Sequence, residues 1–155
     1  MNELFLEAIH SLEPSFQKLL AMEPVTAVTL PQSVPKAGIY LFSENSSPLY
    51  VGRTRNIKVR IARHTRPGAT HRMAAFAFHL AREVTGSLVA TYKKEGSRKH
   101  LMEGLEFRQA FGDAKKRIRA MDLRFIEEND PIRQALLEIY VAVSLQTPYN
   151  DFDTH

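Results

Sequence analysis

The chain has 155 residues, 44% of them hydrophobic, which is enough for one packed core and too few for two large domains. It holds no cysteine, excluding disulfides and thiolate metal sites and predicting a reducing cytoplasm, and no run of 18 apolar residues, so no membrane span is expected. Net charge is only +4, but a pI of ≈ 9.5 leans toward polyanionic partners, and Met1-Asn2-Glu3 lacks the basic start of a secretory signal.

Taken in chain order, Leu4, Phe5, Ala8, Ile9 and Leu12 fall at helical spacing and predict one amphipathic helix over residues 4–20. Pro24, Pro31 and Pro35 make residues 23–36 a connector. Residues 38–42 and 49–52 read as two strands of a hairpin across the polar turn Glu44-Asn45-Ser46-Ser47-Pro48. Asn56 is placed to cap a helix through Ile57, Val59, Ile61 and Arg63. Helices are expected over residues 73–83 and 97–116. Within the second region, Tyr92-Lys93-Lys94-Glu95-Gly96-Ser97-Arg98-Lys99-His100 suits either phosphate contacts or a solvated loop. Residues 117–127 alternate, with Met121, Leu123 and Phe125 in one set and Asp122, Arg124 and Ile126 in the other, which predicts a third strand. Asn129-Asp130-Pro131 is a helix start, and that helix should run to about Gln146, ahead of Thr147-Pro148.

Charge is distributed unevenly. From Asn45 to Arg82 there is no Asp or Glu, while Arg53, Arg55, Lys58, Arg60, Arg63, Arg66, Arg72 and Arg82 fall inside that stretch. A one-signed surface of this kind attracts a phosphate backbone, although an isolated charge run is ordinarily a solvated face. His64, His71 and His79 share the stretch without carboxylate or thiolate neighbours in sequence, so no zinc site is expected there.

Glu138 is the only charge in Ala-Leu-Leu-Glu-Ile-Tyr-Val-Ala-Val, residues 135–143. A carboxylate among apolar side chains needs a cation to offset its burial. That cation is either an arginine, for example Arg60 or Arg133, or a divalent metal bound through one carboxylate and several waters. Arg60 and His64 stand four residues apart and share a helix face. An arginine fork matches two phosphate oxygens, and a histidine beside it moves a proton near neutral pH. Taken singly, Arg60 is a solvated cation, His64 a helix-terminal charge, and Tyr40 and Tyr50 strand packing units.

Gly38-Ile39-Tyr40, Tyr50-Val51-Gly52, Asn56, Arg60, His64, Glu138 and Pro148-Tyr149-Asn150, in that order, resemble the catalytic core of the GIY-YIG nuclease superfamily, with Val51 as a variant of the second triplet. The resemblance implies an α+β fold: a small, mainly antiparallel three-stranded sheet flanked by helices, with an N-terminal helix and a helical insertion. It assigns residues 1–36 to the helix and connector, 37–150 to the nuclease domain with an insertion at about 65–117, and 151–155 to a tail.

The function implied is phosphodiester hydrolysis, with DNA as the first choice of substrate and Mg²⁺ or Mn²⁺ as the cofactor. Tyr40 would activate a water with help from His64, Tyr50 would position water or substrate, Arg60 would neutralise phosphate oxygens, Glu138 would hold the metal, and Asn150 would complete the site. Arg53, Arg55, Lys58, Arg63 and Arg66 are the expected nucleic-acid contacts. One groove lined by Tyr40, Tyr50, Arg60, His64, Glu138 and Asn150 is expected, with Leu136, Ile139 and Val143 of the last helix facing the sheet. Two other classes remain open: a non-cleaving nucleic-acid-binding module on the same fold, and a structural or partner-binding α/β domain.

Overall fold

The computed structural model describes residues 1–86 and 98–153, and the chain divides into two compact units, residues 1–60 with 121–155 and residues 61–120. In the first unit, the helix expected over residues 4–20 is two helices, α1 (Glu3–His10) and α2 (Glu13–Ala21). Pro14, in the first turn of α2, has no N–H to give the preceding turn, so the helix cannot run through. The buried stripe is Leu12, Phe16 and Leu19, whereas Leu4 and Phe5 are exposed.

The sheet has order β2-β1-β3 and is antiparallel throughout, with β1 (Gly38–Glu44) central between β2 (Ser47–Thr54) and β3 (Asp122–Glu127). The hairpin turn is tighter than expected. Asn45 and Ser46 alone make it, both at positive φ, the conformation that matches the twist of the flanking strands. A register shift between Phe42 and Ser43 absorbs Leu49 in β2, and Pro48 is tolerated because β2 is an edge strand. The third strand begins at Asp122 and not at residue 117, because residues 117–119 complete the helix before it.

Alternation sorts the central strand into two faces. Ile39 and Leu41, with Val51, form a core with Leu12 at the start of α2, Phe16 and Leu19 within it, and Leu137, Val141 and Ala142 of α7 (Pro131–Leu145). Tyr40 and Phe42 point the other way, and both are fully buried. Asp130 caps α7 by accepting from the Arg133 N–H at 2.9 Å, and Pro131 sits in its first turn, as the sequence predicted. The inward face of α7 differs from the expected one. Ile139 and Val143 are exposed and Leu136 only packs at the margin of the core. This helix is apolar almost all round, so its periodicity marked no single face.

Asn56 caps α3 (Ile57–Thr65), accepting from the Val59 N–H at 3.2 Å, and the chain passes along this helix into the second unit. There, α4 (Ala75–Thr85), α5 (Arg98–Glu103) and α6 (Leu105–Arg119) follow, with Gly104 splitting the single helix expected over residues 97–116. Phe78 packs against Phe107 and Phe111. Lys115 is buried, and its Nζ donates to the carbonyls of Pro67 and Ala69, both at 2.7 Å. Arg82 is also buried, with its guanidinium over the Phe78 ring, so it does not belong to a solvated basic face. Residues 92–97 of the lysine-bearing stretch lie outside the described residues. Among the described residues, no helix is long and apolar enough to cross a membrane.

Candidate active site

The register of the hairpin sets Tyr40 opposite Gly52. A Cβ at position 52 would lie 2.2 Å from the Tyr40 hydroxyl, so only glycine lets this phenol lie across the neighbouring strand. Arg60, one turn into α3, donates from Nε to that hydroxyl at 3.3 Å. The Tyr50 ring stands 6.4 Å from the Tyr40 ring, centroid to centroid, and Arg60 hydrogen-bonds to Tyr50 as well. The two triplets and the capped helix therefore converge on one arginine and two phenols. Tyr40 has no exposed surface, whereas Tyr50 retains some.

The outer edge of β2 carries the other two candidates. After α7 the chain turns at Gln146, whose φ is 51, and runs back beside β2. Tyr149 N–H donates to the Leu49 carbonyl at 3.2 Å. The Asn150 carboxamide then pairs with Val51 as a strand would: Oδ1 accepts from its N–H at 2.9 Å, and Nδ2 donates to its carbonyl at 2.7 Å. Thr147 also donates to Asn150 Oδ1, at 2.8 Å, holding the carboxamide in that orientation. Two residues on, Arg53 meets Glu138, with Nε and Oε1 3.5 Å apart. Glu138 and Asn150 thus serve successive outward-facing positions of an edge strand that would otherwise be left unpaired.

Burial pushes the Glu138 carboxyl up from its ordinary value; Arg53 opposes this through its charge and backbone N–H, and Arg60 opposes it from farther off. The Tyr40 phenol is pushed up by burial and then by Tyr50, and the pull of Arg60 does not overcome them. Tyr50 is raised by burial too, again against Arg60. Both phenols feel the charge of Glu138, which ties the edge carboxylate electrostatically to the Tyr-Tyr-Arg cluster. Among the described residues no three His, Asp or Glu side chains stand together as metal ligands. The donor set on offer is one partly exposed carboxylate. That fits a hard divalent cation that keeps most of its waters and takes further oxygens from a phosphate.

A family model, the GIY-YIG catalytic domain, matches residues 36–150. The chain belongs to the GIY-YIG family. This is a nuclease family whose members generally depend on a divalent metal. No match to the chain was found among curated proteins or among solved structures.

Set against the GIY-YIG pattern, the structure brings Tyr40, Tyr50 and Arg60 into contact and puts Glu138 within their electrostatic reach. His64 belongs to the second unit, where it is buried with its ring edge-on to Phe76. Its assignment stands on its spacing from Arg60. Arg55, Lys58, Arg63 and Arg66 are exposed, as nucleic-acid contacts must be. The charge closest to Glu138 is neither Arg60 nor Arg133: Arg133 is taken by Glu128 at 2.9 Å, and Arg53 meets Glu138 directly. Sequence reasoning had Arg53 only as a phosphate contact. The signal that could have found its pairing was the alternation of β2, which sends residues 51 and 53 the same way.

Proposed function

We infer that the chain is a metal-dependent endonuclease that hydrolyses phosphodiester bonds in DNA. The observation that carries this is Arg60, half-buried and bonded to the Tyr40 hydroxyl, acting electrostatically on Glu138 as well. A desolvated, permanently charged fork held beside two phenols and a carboxylate is suited to the charge that develops on a phosphate in flight.

Arg60 neutralises the non-bridging oxygens of the scissile phosphate. Tyr40 takes the proton of the attacking water, and Tyr50, which keeps exposed surface, orients that water or the substrate. Since both phenols are raised, they are protonated in the free protein, and Tyr40 must release its own proton to solvent, aided by the charge of Arg60, before it can take one from the water. His64, on the family pattern, carries the proton onward. Glu138 holds Mg²⁺ or Mn²⁺, which when bound supplies Lewis-acid stabilisation of the leaving oxygen. Asn150 holds the β2 edge beside Glu138, and so positions the carboxylate without touching substrate. Charge stabilisation supplies the larger share of catalysis; a positioned base adds roughly 10²–10⁴-fold. The exposed cations Arg55, Lys58, Arg63 and Arg66 grip the phosphate backbone. Lack of cysteine suits a reducing cytoplasm.

The test is a titration of Mg²⁺ and Mn²⁺ against supercoiled plasmid and single-stranded DNA, with EDTA as control. Metal-dependent nicking or linearisation is expected. Salt-sensitive binding without cleavage at any metal concentration would replace the nuclease with a non-cleaving binding module, and neither activity would return the chain to a structural role.

A further inference from the structure

Helix α6 of the second unit buries Phe107, Phe111, Ala114 and Ile118 and sorts its exposed charges to either side of that stripe. Arg108, Gly112, Lys116 and Arg119 succeed one another at helical spacing and so share one exposed side. Glu106 and Asp113 fall on the other together with one cation, Arg117, and there with Leu80 and Val84 they line a groove between α4 and α6. Within α6 itself the basic side carries no carboxylate. At its centre a Cβ on Gly112 would meet nothing within 4 Å, so the stripe is open down to the backbone. A second segment adds to it. Lys115, at the border of the basic side, holds the carbonyls of Pro67 and Ala69 and thereby fixes the turn that carries exposed Arg66 against this edge of α6.

We propose that Arg108, Lys116 and Arg119, running on from Arg66 of the stapled turn, form a second binding surface of this protein for the phosphodiester backbone of nucleic acid, borne by the helical unit. The eleven helical steps from Arg108 to Arg119 span about 16 Å, matching about five phosphates of one strand at about 3.4 Å each. The contacts argued here are to phosphates, which fix position along the backbone and carry no sequence information themselves. For the identity of its ligand it rests on the nuclease reading above; its existence does not depend on cleavage.

The experiment measures binding of a short fluorescein-labelled DNA duplex by anisotropy, in EDTA, over a series of KCl concentrations. The wild-type chain is compared with R108A/K116A/R119A, with Gly112→Asp, and with Asp113→Asn as a control on the opposite side. All are exposed or open positions, and circular dichroism confirms the fold. At about 0.9 units of log–log salt slope per phosphate contact, the triple variant should lose about two to three units and bind at least about tenfold more weakly at moderate salt. Gly112→Asp should weaken binding about fivefold or more by setting an anion among the cations, and Asp113→Asn should not weaken it. A slope change under about one unit for the triple variant, or wild-type affinity for Gly112→Asp, overturns the proposal. Plasmid cleavage is scored separately: normal slope with cleavage sinks only the α6 surface, and a lost slope without cleavage in any protein sinks only the nuclease.

Discussion

In the unit built on the sheet, three arginines are spent on particular atoms, Arg60 on the phenol of Tyr40, Arg53 on the carboxylate of Glu138 and Arg133 on Glu128, while Arg55 and Lys58 stand exposed. In the helical unit, Arg108, Lys116 and Arg119 stand exposed along α6, and the buried Lys115 is occupied by two carbonyls. The same residue types therefore do two kinds of physical task. A desolvated cation in a fixed place acts strongly on one charge, whereas exposed cations act through a field that salt screens. Catalytic effects should concentrate in the first set and salt-dependent affinity in the second.

The hardest blow to that division would come at Glu138. Glu138→Gln keeps size and removes the charge that holds the cation, so cleavage should fall by at least about 10³-fold with the circular dichroism spectrum unchanged. Wild-type cutting by this variant at equal Mg²⁺ would end the assignment.

Next in size is Arg60→Ala, which should lower turnover by about 10²–10³-fold with little change in duplex affinity, and Arg60→Lys should not restore it. Arg63→Ala and Arg66→Ala should do the reverse, weakening binding and reducing the salt slope by about one unit each. Equal losses of affinity at all three positions, with no extra loss of turnover at Arg60, would erase the distinction.

A smaller effect is expected at Asn150, which separates positioning from chemistry. Asn150→Ala leaves the Val51 N–H and carbonyl without their partner, costing about 1–3 kcal/mol and several degrees in Tm. Asn150→Asp keeps an acceptor for the N–H but turns a charged oxygen on the carbonyl, so it should not rescue stability. Full stability in either variant, with activity lost, would make Asn150 a substrate contact instead.

The smallest effect concerns pH and stability in EDTA. Glu138 holds its proton more tightly in the folded chain than in the unfolded one. The stability it contributes is therefore present at low pH and is lost as pH rises through its folded value. Glu138→Gln should accordingly be at least as stable as wild type at neutral pH, with the difference closing as pH falls into the carboxylate range. Arg53→Ala removes the strongest opposing charge and should push the Glu138 carboxyl up further. Melting curves of the three proteins across pH check both statements, and a Gln variant less stable than wild type at neutral pH would contradict them.

The amino-acid sequence by itself determined the elements whose signals are local. Asn56 and Asp130 announce their helices because a cap is made with the backbone three residues away. The family and the three-stranded antiparallel sheet were legible from two short triplets, an alternating third strand and the order of the residues after them. Breaks were harder: Pro14 and Gly104 each divide what periodicity alone reads as one helix. Tertiary structure decided which charges meet. Glu138 finds Arg53 and not Arg60 or Arg133 because the edge of β2, in the register set by the Asn45-Ser46 turn, presents residue 53 to α7. Asn150 closes on Val51 across 99 residues of chain, and Lys115 on Pro67 across 48. Such pairings depend on register and helix rotation, which no window of neighbouring residues encodes.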